Sequence, residues 1–184
     1  MTNVIIPLAT GCEELEAVTI IDLLRRANIN VVTAGLDNQP VKASRGTVIV
    51  PDTVIDEVLD VDFDMIVLPG GLPGADFLSE DERIRKILVK MFDQGKYIAA
   101  ICAAPKVLAR AGILNNKQVT CYPGTLDALQ IPGMQLLSAP VVLDGQLITS
   151  RGPGTAMDFA LTLIEVLAGK EKRLAVEGPL QRVG

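Results

Sequence analysis

Tyr97-Ile98-Ala99-Ala100-Ile101-Cys102-Ala103-Ala104-Pro105 is an apolar run that stops at a thiol and restarts at a proline. Residues 97–101 show no apolar–polar alternation, which is the pattern of a parallel strand covered on both faces. Proline costs no hydrogen bond in a first helical turn, so Pro105 marks the start of a helix over about 104–111. The small residues Ala99, Ala100, Ala103 and Ala104 let the strand fold abruptly into that helix. This is the logic of a nucleophile elbow, with Ala-Ile-Cys-Ala-Ala in place of G-x-S-x-G. A thiol so placed sits at the carboxyl edge of the sheet, where ligands bind in open α/β folds. It also faces a helix N-terminus, which favours thiolate. The competing reading is a buried core cysteine, the commonest fate of a free thiol.

Working outward, residues 3–9, 30–34 and 64–68 are similar apolar runs and read as strands. Helical periods lie between and after them, at about 13–27, 80–92 and 155–167. The alternation predicts an α/β fold, a doubly wound, mostly parallel sheet with helices on both faces. Val141-Val142-Leu143, Asp144-Gly145 and Gln146-Leu147-Ile148-Thr149 form a hairpin signal with turn residues at the centre. The last helix has a polar stripe of Asp158, Thr162 and Glu165, so most of its surface should be covered. Gly169 is expected to end it. Residues 1–184 contain no repeat or linker and are expected to form one domain.

Composition excludes several functions. A net charge of −5 argues against nucleic acid, because phosphate binding needs a basic face. No apolar run reaches membrane-spanning length, and the first ten residues lack a basic head, so no membrane association and a cytoplasmic location are expected. Three scattered cysteines do not make a disulfide scaffold. The chain has no histidine, which removes the Ser-His-Asp triad, the Cys-His dyad and every His-ligated metal site within one chain. Chemistry is left to thiol, carboxylate, phenol, guanidinium and backbone amides, and neither metal nor cofactor is expected.

Three further segments join Cys102 as candidates. Pro69-Gly70-Gly71-Leu72-Pro73-Gly74 follows the strand at 64–68, at the same sheet edge, where glycines free N–H groups for an oxyanion. An ordinary strand-to-helix turn explains it equally well. In Glu13-Glu14-Leu15-Glu16, the acids complement a helix dipole, yet Glu16 also shares a face with Ile20, Leu23 and Ala27. A carboxyl on a buried face would have its pKa raised and could share one proton with a nearby thiolate. Periodicity does not separate Glu16 from Glu13. Ser150-Arg151-Gly152-Pro153-Gly154-Thr155 offers Arg151 as an anion or dimer contact, or else a helix cap, and Arg45 in Ser44-Arg45-Gly46 is similarly ambiguous. Cys12 and Cys121 read as structural.

Taken in order, four motifs resemble the ThiJ/PfpI superfamily, in the branch of the parkinsonism-associated deglycase and its bacterial relatives. They are Gly11-Cys12-Glu13-Glu14-Leu15-Glu16-Ala17, Val67-Leu68-Pro69-Gly70-Gly71, Ala99-Ala100-Ile101-Cys102-Ala103-Ala104-Pro105 and Thr149-Ser150-Arg151-Gly152-Pro153-Gly154-Thr155. The resemblance implies a flavodoxin-like fold of the class I glutamine amidotransferase type, assembled as a homodimer. It implies Cys102 as an oxidation-prone nucleophile, Glu16 as its acid, and the Gly71 and Ala103 amides as the oxyanion site. Gly70, Tyr122, Arg45 and Arg151 would line the site. The chain departs from the pattern at Tyr122, where many members carry a histidine. A tyrosine at its ordinary pKa is a poor base at neutral pH, which counts against a peptidase.

The leading functional expectation is a cysteine-dependent stress-protection enzyme of the glyoxalase or deglycase type. It would act on reactive dicarbonyls such as methylglyoxal or on their early glycated adducts. The alternative is a non-enzymatic redox sensor or stress chaperone switched by Cys102 oxidation. A peptidase comes third.

Overall fold

The apolar runs fold as parallel strands of one sheet, and the periods between them as helices packed on its two faces. The computed structural model describes residues 2–182. Along the chain lie β1 (Asn3–Leu8), α1 (Glu14–Arg26), β2 (Asn30–Gly35), β3 (Val41–Lys42), β4 (Val48–Ile49), β5 (Thr53–Val54), β6 (Met65–Leu68), α2 (Gly74–Glu80) and α3 (Glu82–Asp93). There follow β7 (Tyr97–Ile101), α4 (Pro105–Arg110), β8 (Gln118–Val119), β9 (Gln135–Leu136), β10 (Val141–Asp144), β11 (Leu147–Ser150) and α5 (Ala156–Glu177).

The main sheet has seven strands in the order β10-β11-β7-β6-β1-β2-β5. Every neighbouring pair in it is parallel except the β10–β11 hairpin. The chain builds β2 and β5 on one side of β1 and then crosses to place β6 on the other. That reversal opens a crevice at the carboxyl ends of β1 and β6, the position where such sheets bind ligands.

Alternation along each strand divides the core. Val4, Ile6 and Leu8 point to the face covered by α1 and α5, together with Ile20, Leu24, Phe159 and Leu163. Ile5, Ile66 and Ile98 point to the other face, against Leu78 of α2, Leu88 of α3 and Leu108 of α4. Each large side chain buried this way contributes roughly 1.5–3 kcal/mol. Ala99 and Ala100 sit one on each face of β7, so helices approach this strand closely.

Local readings shift in three places. The period at 80–92 is split, because Asp81 leaves helical geometry and its side chain accepts the Arg83 N–H at the start of α3. Gly169 does leave the helical region (φ +86°, ψ 164°), but the chain resumes the helix to Glu177 instead of ending there. In the hairpin Asp144 pairs with Leu147, so the two turn residues are Gly145 and Gln146, one position later than the pattern suggested. Among the described residues no helix is long and apolar enough to cross a membrane.

Candidate active site

Cys102 follows the last residue of β7 and holds φ at +63°, a left-handed conformation rare for a side chain with a Cβ. Such a backbone costs of order 1–3 kcal/mol and persists only where its surroundings impose it. Here the Cys102 N–H donates to the Ser150 carbonyl at the end of β11, and its carbonyl accepts the Tyr122 N–H, both at 2.9 Å. The elbow is therefore clamped from two sides. Pro105 opens α4 immediately beyond it.

The turn after β6 packs against this elbow. A Cβ on Gly70 would lie 2.7 Å from the Cys102 Cβ and 2.8 Å from Glu16 Oε2, so only glycine fits between them. Gly71 has φ +89°, and a Cβ there would lie 2.3 Å from the Glu13 nitrogen. The Glu13 N–H donates to the Gly70 carbonyl at 2.9 Å, fastening the turn to the start of α1. With both side chains absent, the Gly71 and Ala103 N–H groups face the Cys102 sulfur and favour its charged form.

Glu16 is fully buried beneath this turn. Its Oε2 accepts the Gly70 N–H at 2.8 Å. Burial pushes its pKa up to about 7, against the Gly70 hydrogen bond and the thiol, with the charge of Glu13 adding a smaller rise. Glu16 and the thiol are near enough to shift one another's ionisation. The sulfur nevertheless misses hydrogen-bond geometry to Glu16 Oε1, which stays buried without a partner. A buried unpartnered carboxylate oxygen is costly, and a proton on it, offered to sulfur, removes that cost.

Burial and then the Glu16 charge push the Cys102 pKa up to about 12. The expected help from the helix N-terminus is small beside burial, because α4 is only six residues long. The two rises have one meaning. Two negative charges are disfavoured together in this site, so once the first proton leaves, near pH 7, the pair keeps the second. The thiolate forms when that proton moves to Glu16.

Cys102 opens onto a cleft of about 620 Å³ whose lining includes Glu13, Arg45, Gly71, Ala103, Lys106 and Tyr122. Gly70 lies behind this wall, buried. Arg151 lines an adjoining pocket that shares Tyr122 and Pro153 with the cleft. Cys12 and Cys121 are buried and do not line the cleft, and desolvation raises both thiols, Cys12 to about 11. Among the described residues no group of three or more His, Cys, Asp or Glu is placed to hold a metal ion.

Two features of the site escaped the sequence reading. Ser44 donates to Glu13 Oε2 at 2.8 Å, and the Arg45 N–H donates to both Glu14 oxygens at 3.0 Å, so these acids hold one cleft wall. Lys106 lines the cleft as well. No helical spacing pointed to it, because Cys102 stands before α4 with a left-handed backbone and shares no helix face with Lys106.

The DJ-1/PfpI family model matches residues 2–166. Drosophila melanogaster Protein dj-1beta is 46% identical over 171 residues, 92% of this chain and 91% of that protein. The crystal structure of Drosophila DJ-1beta superposes with a TM-score of 0.94 at 43% identity, covering 100% of this chain and 99% of that one. Arabidopsis thaliana Protein DJ-1 homolog B is 44% identical over 97% of this chain, which spans 41% of that longer protein. A Caenorhabditis elegans relative named glutathione-independent glyoxalase DJR-1.2 is 40% identical over 91% of this chain and 89% of its own length. With a family model matched over most of its length and the fold shared throughout, this chain belongs to the DJ-1/PfpI family.

Proposed function

We propose that the protein is a cytoplasmic, cofactor-independent enzyme that converts reactive dicarbonyls, or their early adducts, to 2-hydroxy acids, with Cys102 as nucleophile and Glu16 as acid–base. The observation that carries this reading is a thiol clamped in a strained elbow beside a fully buried carboxyl, at the floor of an open cleft. The Cys102 thiolate adds to the aldehyde carbon, forming a C–S bond and a hemithioacetal. The Gly71 and Ala103 amides stabilise the oxygen charge that develops. Glu16 carries a proton from the former aldehyde carbon to its neighbour, and water then releases the acid from sulfur. Dicarbonyl plus water gives hydroxy acid, one carbon being oxidised and its neighbour reduced, so no external electron carrier enters. A relative named as a glutathione-independent glyoxalase supports the reading.

The non-enzymatic alternative uses the same atoms. Glu16 Oε1, buried without a partner, would donate a proton to an oxygen on oxidised sulfur. A homodimer belongs to the same proposal. Leu15, Val18, Val48 and Val50 are exposed and apolar, a surface for a second copy to cover, and a monomer mass by light scattering would rule this out.

Lactate formation from methylglyoxal by the pure protein tests the leading reading. Turnover is expected in the wild type and none in Cys102→Ser. Equal rates in the two would overturn it.

A further inference from the structure

Lys106 stands on the wall of the Cys102 cleft, and neither the proton transfer nor the oxyanion contacts involve it. Its Nζ pairs with Asp76 of α2, but the two side chains are 32% and 42% exposed. A pair this open to water is weakly held and is readily exchanged for another anion. Arg45, also on the cleft wall, has no ion-pair partner among the described residues. Of the acids, only Glu13 joins them in the lining, and its Oε2 is taken by the Ser44 hydroxyl. In a protein with net charge −5, the lining above the nucleophile thus carries two cations against one acid, an excess that Asp76 offsets only while it stays paired with Lys106. The cleft, at about 620 Å³, is also of a size that holds ligands much larger than a three-carbon dicarbonyl.

We propose that the cleft selects carbonyl substrates bearing a carboxylate or phosphate, and that Lys106 is the residue that reads this charge. The carbonyl lies at Cys102, between the Gly71 and Ala103 amides, while the anionic end displaces Asp76 from Lys106. This rests on the reading that Cys102 meets a carbonyl substrate, but its first test does not.

Iodoacetate and iodoacetamide are nearly equal in size and differ in charge. With either, the Cys102 thiolate displaces iodide and forms an S–CH₂ bond. Alkylation of the Cys102 peptide is followed by mass spectrometry, and the readout is the ratio of the iodoacetate rate to the iodoacetamide rate. Lys106→Met is expected to lower this ratio about three- to tenfold at low salt, leaving the iodoacetamide rate within about twofold. Lys106→Arg is expected to restore most of the ratio, and raised salt to bring the wild type towards Lys106→Met. An unchanged ratio in Lys106→Met, or an equal fall of both rates, would overturn the proposal.

The second arm compares 4-carboxyphenylglyoxal with phenylglyoxal. The wild type is expected to favour the carboxylated substrate in kcat/KM, and Lys106→Met to remove that preference through KM. If the wild type turns over neither while the alkylation ratio responds to Lys106, the dicarbonyl reading fails and the charge selectivity stands. If both are turned over equally and the ratio does not respond, the reverse holds.

Discussion

Glu14 and Glu16 stand two positions apart in the first turn of α1, at one helix N-terminus, and their carboxyls are driven in opposite directions. Desolvation acts on both. At Glu14 it is outweighed by hydrogen bonds from its own N–H, the Arg45 and Thr47 N–H groups and the Ser44 hydroxyl, which bring the pKa down to about 2. At Glu16 burial dominates, with Gly70 giving the one backbone donor, and the pKa rises to about 7. The helix dipole is common to the two and decides neither. The difference lies in how many donors reach each carboxylate and how much water is left. The outer acid stays charged and holds a loop, whereas the inner acid is left able to exchange a proton with Cys102.

The largest expected effect comes from removing the inner acid. Glu16→Gln keeps a hydrogen-bond donor but has no exchangeable carboxyl proton, so dicarbonyl turnover should fall about 10²–10⁴-fold. The Cys102 thiolate should survive and form at lower pH, because the facing negative charge is gone; ultraviolet absorbance against pH reads this. Stability should change with it. A raised carboxyl pKa means that the folded state keeps a proton between pH 4.5 and about 7 that the unfolded chain gives up. The stabilisation is therefore complete below 4.5 and is lost as pH rises towards 7, by about 3 kcal/mol. Urea midpoints across that window should fall in the wild type and stay flat in Glu16→Gln. Wild-type turnover in Glu16→Gln beside a dead Glu13→Gln would mean that Glu13, not Glu16, is the acid that works with Cys102.

Next in size is the turn that covers the inner acid. Gly71→Ala places a methyl 2.3 Å from the Glu13 nitrogen and 2.6 Å from the Cys12 carbonyl carbon, with φ at +89°. Those neighbours are backbone and cannot swing aside. A loss of about 2–4 kcal/mol is expected, seen as a lower Tm, together with a displaced amide and slower turnover. A variant of unchanged stability would show that the turn is looser than its packing indicates.

How much of this was legible in the sequence depends on how far each signal reaches along the chain. The Cys102 elbow was readable because its causes are adjacent in sequence: an unbroken apolar strand, small neighbours and Pro105. The parallel core strands were readable for the same reason. The edge strand β5 pairs with β2 through only two positions and left no periodic trace. α2 begins at Gly74, a poor helix former, and its place is set by packing beneath the β6 turn. In the site, periodicity left Glu13 and Glu16 equal, because what separates them is burial under Gly70, which lies 54 positions further along. The family resemblance, not the spacing, pointed to Glu16. Lys106 gave no sign of its role, since both Asp76 and the cleft are brought to it by the fold.

The smallest effect is expected from the outer acid. Glu14→Gln removes the charge but keeps an acceptor oxygen, so the hydrogen bonds from Arg45 and Thr47 weaken without disappearing. Because Glu14 sits outside the proton-sharing pair, turnover of a small neutral dicarbonyl should stay within about threefold of wild type, well short of the fall expected for a lost acid–base group. The change should appear in the loop, as faster amide exchange at Arg45 and Thr47. Its pH dependence runs opposite to that of Glu16. A carboxyl lowered from 4.5 to about 2 stabilises the fold above pH 4.5, and that stabilisation is lost as pH falls through this range. Loop protection in the wild type should accordingly weaken on acidification towards pH 2, and in Glu14→Gln it should already be weak at neutral pH. If Glu14→Gln instead abolished turnover of the neutral substrate, the Ser44–Arg45 wall would be setting the geometry of Cys102 itself. The two faces of α1 would then form one functional unit, and the contrast between them would fail.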